Sequence, residues 1–208
     1  MYKVDKYLVR KKGRTYKVLV FPRIEHAWAY DDNPEEDQLM LDGNEEFFTQ
    51  LKYALAAVIA DPSLLIFFPI KKPGCTRFGD YMTYDAVLLR PELQFRRSVW
   101  YDIKGKLDRQ HYAGKYRITY DEKKLNEWCE KKHIGWNWFM RKAYSKVVEE
   151  LLGETIFLVL PKDVCYWYHS AISDSLVTFD PTYEYGCYSL IGYLFSDKVL
   201  QTQLEEDK

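Results

Sequence analysis

The apolar residues of this chain come in short runs of strand length, several of them stopped by proline. Tyr16-Lys17-Val18-Leu19-Val20-Phe21 is closed by Pro22, and Leu64-Leu65-Ile66-Phe67-Phe68 by Pro69. Proline has no N–H to offer a ladder, so it ends a strand of this kind. Against these runs stands one long amphipathic stretch, Asn44 to Ala60. Phe47, Leu51, Ala54, Leu55 and Val58 recur there at helical spacing and make one apolar face. Asp42, Gly43 and Asn44 supply start signals, and Asp61-Pro62-Ser63 stops the helix. Glu45 and Glu46 fall in the first turn, where the helix dipole favours acids. Strand and helix signals mixed within 208 residues predict a single α+β domain, with a central mixed sheet flanked by helices.

Further along, Tyr84 to Leu89 and Ser98 to Lys104 read as two strands, and Pro91 to Arg97 joins them at hairpin length. Tyr116 to Tyr120 reads as another strand. Asp121 begins a helix through Lys132, with Leu125, Trp128 and Cys129 on one face. A helix is expected from about residue 137 to 152, ended by Gly153. Beyond it, Thr155–Leu160, Val164–His169, Leu176–Phe179 and Tyr188–Phe195 read as strands, and residues 201–208 as a polar tail. A soft boundary is therefore expected near residue 153, between a core over 42–152 and a strand-rich extension over 153–200. The acidic run Asp31 to Asp37, with Pro34 inside it, reads as a solvated loop.

A composition 47% hydrophobic and 29% charged is that of a globular chain. A net charge of −1 argues against a protein that coats nucleic acid non-specifically, but it leaves room for a local basic groove. Cys75, Cys129, Cys165 and Cys187 are spaced too widely for a zinc knuckle or a redox pair, and His26, His111, His133 and His169 are equally scattered. On a strand, Cys165 and His169 would stand ~13 Å apart at ~3.3 Å per residue, too far for a thiol–imidazole pair. No apolar run reaches the ~18 residues of a membrane span. Met1 to Lys6 lacks a secretory apolar core, so the expectation is a cytoplasmic protein with no membrane partner.

One constellation could carry chemistry: Asp85 followed by Asp102-Ile103-Lys104. If Asp85 opens one strand and Asp102 nears the end of its antiparallel neighbour, the two carboxylates meet at one edge of the sheet. Such a set of oxygens suits Mg²⁺ or Mn²⁺. Lys104, two residues on, would project to the same face and assist an attacking water. Other Asp/Glu-x-Lys triplets, such as Asp121-Glu122-Lys123 and Glu130-Lys131-Lys132, sit on a polar helix without a partner strand. A structural alternative is an Asp102–Lys104 or Asp85–Lys104 ion pair.

The order of a helix at Asn44, a strand at Leu64, Asp85 on its strand and then Asp102-Ile103-Lys104-Gly105 resembles the PD-(D/E)XK nuclease superfamily over roughly residues 42 to 140. The resemblance implies a restriction-endonuclease-like core and an endonuclease hydrolysing phosphodiester bonds in DNA (or RNA), with DNA the first expectation. Asp85 and Asp102 would hold the metal, Lys104 would assist water, and Glu46 (or Glu45) would be a further metal-site acid. The insert from Lys106 to Tyr120 would line the nucleic-acid groove through Lys106, Arg109, His111 and Lys115. Tyr84 stands where the family motif has proline.

The competing reading is a non-catalytic protein-binding module, an inhibitor or assembly factor. It would use the acidic loop 31–37 and the aromatic clusters Tyr166-Trp167-Tyr168 and Tyr183 to Tyr188 to hold a protein partner or a second copy.

Overall fold

Four strands, each followed at once or after one residue by proline, form the middle of the molecule. The computed structural model describes residues 1–24, 27–33, 38–70, 77–78, 81–135, 138, 148–177 and 188–189. Its elements begin with β1 (Tyr2–Lys11), β2 (Arg14–Val20), β3 (Ala27–Asn33), β4 (Gln38–Gly43), α1 (Glu45–Ala60) and β5 (Leu64–Phe68). They continue with β6 (Arg77–Phe78), β7 (Tyr81–Met82), β8 (Asp85–Leu89), α2 (Trp100–Lys104), β9 (Tyr112–Ile118) and α3 (Glu122–Lys131). The last are β10 (Val148–Leu152), β11 (Thr155–Val159), α4 (Lys162–Val177) and β12 (Tyr188–Ser189). The fold is of mixed α+β class, as the alternation of strand and helix signals implies.

Seven strands form the main sheet in the order β10-β11-β8-β5-β2-β1-β9. β2 runs parallel to β5 and β8 parallel to β11. The joints β1–β2, β5–β8 and β10–β11 are antiparallel. From β1 to β10 the sense of pairing therefore reads the same in either direction. Pro22, Pro69, Pro91 and Pro161 stand just past β2, β5, β8 and β11, where the chain leaves the ladder. Smaller sheets join β12, β4 and β3, and β6 with β7.

Side chains alternate across the sheet and fill a core on each face. Leu19, Ile66, Leu88 and Leu158 face one core, together with Phe47, Leu51, Leu55 and Val58 of α1 and Val164, Tyr168 and Ile172 of α4. Val18, Leu65, Val87 and Phe157 face the other, where Trp100 and Ile103 of α2 close over them. α1 starts as its sequence prescribes: the Asn44 side chain accepts from the Phe47 N–H at 3.0 Å.

Several expectations need correction. Ser98 to Lys104 is not a strand but a 3₁₀ turn, Arg97–Val99, running into α2. Its apolar residues Val99, Trp100 and Ile103 follow helical spacing, and all three are buried. Pro91 to Arg97 is accordingly no hairpin, and β8 pairs with β5 and β11. Val148 to Leu152, expected in a helix, is the strand β10, and Gly153 at φ +56° turns it directly into β11. Most of the remainder of that expected helix, residues 139–147, lies outside the described residues. Val164 to His169 and Leu176 belong to α4, whose buried Val164, Cys165, Tyr168 and Ile172 recur at helical intervals. β10 and β11, on either side of Gly153, lie in the same sheet as β8. Of the acidic run, Asp31 to Asn33 belongs to β3, and residues 34–37 lie outside the described residues. So do residues 190–195 of the last expected strand. β1 had no counterpart among the expected elements.

Candidate functional site

Asp85 opens β8 and shares its alternation with Val87 and Leu89, so it faces the α2 side of the sheet. Lys104, the last residue of α2, reaches it: Nζ lies 2.8 Å from Asp85 Oδ2. The Asp85 side chain is only 7% exposed, against 30% for Lys104. The Lys104 ammonium also stands 5.7 Å from the centroid of the Phe67 ring. The Asp85 backbone N–H donates to Glu154 O at 2.9 Å, which anchors the strand's first residue on the β10–β11 turn. A carboxylate this deep needs a counter-charge, and Lys104 supplies it.

Asp102 does not join them. Residues 102 and 104 are two apart on a helix, about 200° around its axis. Lys104 turns toward β8, whereas Asp102 turns toward β1 and pairs with Lys11 at 2.7 Å. The Lys11 hydrogen bond holds the Asp102 carboxyl below the usual range, with the nearby charges of Lys11, Lys106 and Lys12 adding to it. The two-carboxylate cation site drawn on adjacent strands is therefore not assembled, because each acid is engaged by a different lysine. Glu46 is exposed in the first turn of α1, in the layer on the opposite face of the sheet from Lys104. Its charge, after burial, helps to raise the Tyr2 phenol. Among the described residues no three acids, histidines or cysteines come together as a metal cage.

Lys106, Arg109, His111 and Lys115 follow α2 into β9. Asp108 organises the turn: its Oδ1 accepts from the N–H of Gln110 at 2.9 Å and of His111 at 3.2 Å, and lies 3.0 Å from His111 Nδ1. The His111 contact, ahead of the backbone bonds, holds the Asp108 carboxyl low. Lys115 pairs with Asp5 of β1 at 2.7 Å, and this bond raises the lysine. The two strands set Lys3 opposite Arg117, Asp5 opposite Lys115 and Tyr7 opposite Tyr112. The last pair meets edge to face at 5.7 Å and 70°.

The basic surplus here is larger than the insert alone suggests. Residues 1–14 and 104–117 contain eleven lysines and arginines and two acids, a surplus of nine in a chain of net charge −1. The two segments lie far apart in sequence, and β1–β9 pairing puts them side by side. The signal missed in the sequence is the density of Lys3, Lys6, Arg10, Lys11, Lys12 and Arg14.

Other candidates fall away on burial. Trp167 and Tyr168 are core residues of α4, and Tyr166 stacks on Trp128 at 3.8 Å, so this cluster is not an exposed contact surface. Tyr183 to Cys187 lie outside the described residues. Cys165 and His169 sit one helical turn apart on α4. Burial pushes the Cys165 thiol up to about 12 and the His169 imidazole down to about 4, which leaves neither suited to nucleophilic work. Burial likewise raises the Cys129 thiol to about 11. Comparison with known proteins yields no match: no family model fits the chain, and no curated protein or solved structure is significantly similar to it.

Proposed function

We propose that this protein binds nucleic acid through the basic end of its sheet, formed by β1, β9 and the turn after α2. The observation that carries the reading is the concentration of eleven basic residues against two acids in two segments that the fold brings together. A local field of this kind attracts a polyanion although the whole chain is nearly neutral. Three of the acids within reach, Asp5, Asp102 and Asp108, already have partners in Lys115, Lys11 and His111. Lys3 and Arg117 on the α2 side, with Lys106 and Arg109 in the turn after α2, make no ion pair among the described residues and are exposed or half-exposed, which leaves them for phosphates.

The test is titration of fluorescent oligonucleotides at several salt concentrations. Four neutralised phosphates give a log–log slope of about −3, so affinity should fall about 60-fold between 50 and 200 mM salt. Arg117→Ala should reduce the slope by just under one. Binding without salt dependence, or no binding to DNA or RNA of any form, would sink the proposal.

The cleavage reading keeps one supporting observation, the contact between Asp85 and Lys104. It predicts Mg²⁺- or Mn²⁺-dependent cutting that Lys104→Ala abolishes. If the wild-type protein cuts none of linear, branched or single-stranded substrates, that reading goes and binding alone remains.

A further inference from the structure

We infer that the nucleic acid is single-stranded, with a base stacked at the Tyr7–Tyr112 pair and the backbone running toward Lys115, Lys3 and Arg117. The inference rests on the nucleic-acid reading above and adds the form of the strand and the residue that reads it. It starts from an uncovered piece of sheet. On the α2 side, the buried core is built from β2, β5, β8 and β11, with Val9 alone as a fully buried contribution from β1 and nothing from β9. The outer two strands extend past the helix layer on that side. Their side chains there are Lys3, Asp5, Tyr7, Tyr112, Lys115 and Arg117.

These six form three cross-strand pairs in a row. Successive pairs are two residues apart on β9 from Arg117 to Lys115, or ~6.6 Å at ~3.3 Å per residue. The Tyr7–Tyr112 pair comes next along the row, across the bulge between Asp5 and Tyr7. Tyr7 packs against the second core, and Tyr112 leans edge to face on it while staying 43% exposed. An aromatic ring held from one side and wet on the other is a platform for a base, and cations along the same row are the matching platform for its phosphates. In a duplex the bases are already stacked on one another, and their faces cannot reach such a ring. The only described α-helix on this side, α2, has five residues, with Trp100 and Ile103 buried in the core, so no helix projects to enter a groove.

Asp5 gives the arrangement a second signature. Its carboxylate holds Lys115 at 2.7 Å, so a phosphate must compete with it for the same ammonium.

The experiment compares three probes of one sequence, a fluorescein-labelled 15-nucleotide single strand as DNA, the same as RNA, and the DNA duplex. Wild type is expected to bind a single strand at least tenfold more tightly than the duplex. Tyr112→Ala should weaken single-strand binding about tenfold, Tyr112→Phe should restore it, and neither should change duplex binding. Asp5→Asn should strengthen single-strand binding about threefold. Tyr112 is surface-exposed, and circular dichroism of each variant checks that the fold is intact. If the duplex binds as tightly as the single strands, or Tyr112→Ala leaves single-strand affinity unchanged, the inference is overturned while the nucleic-acid reading stands. If no probe binds, both fall.

Discussion

Lys104→Met leaves the Asp85 carboxylate at the start of β8 without the ammonium that lies 2.8 Å from it. The methionine keeps the stem that passes the Phe67 ring, so the change removes charge with little loss of packing. Breaking a fully buried pair from one side costs about 3–5 kcal/mol. Here one partner is 7% exposed and the other 30%, so water screens the lysine end and the expected cost is about 2–3 kcal/mol. The reverse change is milder. Asp85→Asn keeps the shape, and the stranded ammonium is the more exposed partner, so about 1 kcal/mol is expected. The asymmetry is the diagnostic quantity. Urea denaturation of the two single variants and the double variant measures it, with the slope of stability against urea unchanged throughout. In a chain of this size the larger cost lowers the Tm by about 5–10 °C. A cost for Lys104→Met below about 0.5 kcal/mol, or one smaller than that of Asp85→Asn, refutes the account of the pair as a buried charge and its counter-ion.

Two further expectations concern stability. Burial holds His169 at about 4, below its unfolded value of 6.5, so the folded state keeps it neutral. Its contribution is present above pH 6.5 and is lost as pH falls toward 4, with about 1.6 kcal/mol gone between pH 6.5 and 5. Denaturation at three pH values checks this, and His169→Phe should flatten that part of the profile. Gly153 turns β10 into β11 at φ +56°, and a Cβ there would meet the hydroxyl of Tyr101. Gly153→Ala should cost about 1–2 kcal/mol, with part recovered by adding Tyr101→Ala; a neutral Gly153→Ala would count against this turn geometry.

The elements legible in the sequence are those whose signals are local. β2 and β5 are apolar runs closed by proline, and α1 carries its own cap and an apolar face. The elements misread are those whose composition and context disagree. α4 buries Val164, Trp167 and Tyr168, and aromatic and β-branched residues in that density look like a strand. α2 is five residues long, too short for a period to establish itself. β1 escaped because its two buried residues, Val4 and Val9, stand five apart and face opposite cores, with Lys3 and Asp5 flanking the first and Leu8 and Arg10 the second. The apolar alternation therefore does not persist along either face of that strand. The site follows the same rule. The meeting of Asp85 with Lys104 was legible, because one opens a strand and the other is carried back to it. The separation of Asp102 was not, since it depends on α2 being a helix. The basic surplus needed the pairing of two segments about a hundred residues apart, and no local pattern encodes that.

The symmetry of pairing sense across the sheet carries a consequence for how the chain reaches this state. Each flank has one antiparallel hairpin, β1–β2 or β10–β11, closed by a turn of two residues. Each also has one parallel joint that must wait for a long excursion, residues 21–63 between β2 and β5 and residues 90–154 between β8 and β11. Hairpins form in microseconds, whereas bringing distant segments together loses chain entropy before any contact offsets it. The two hairpins are thus available early as preformed ribbons, and the slow events are the two dockings that lay each ribbon beside the antiparallel pair β5–β8.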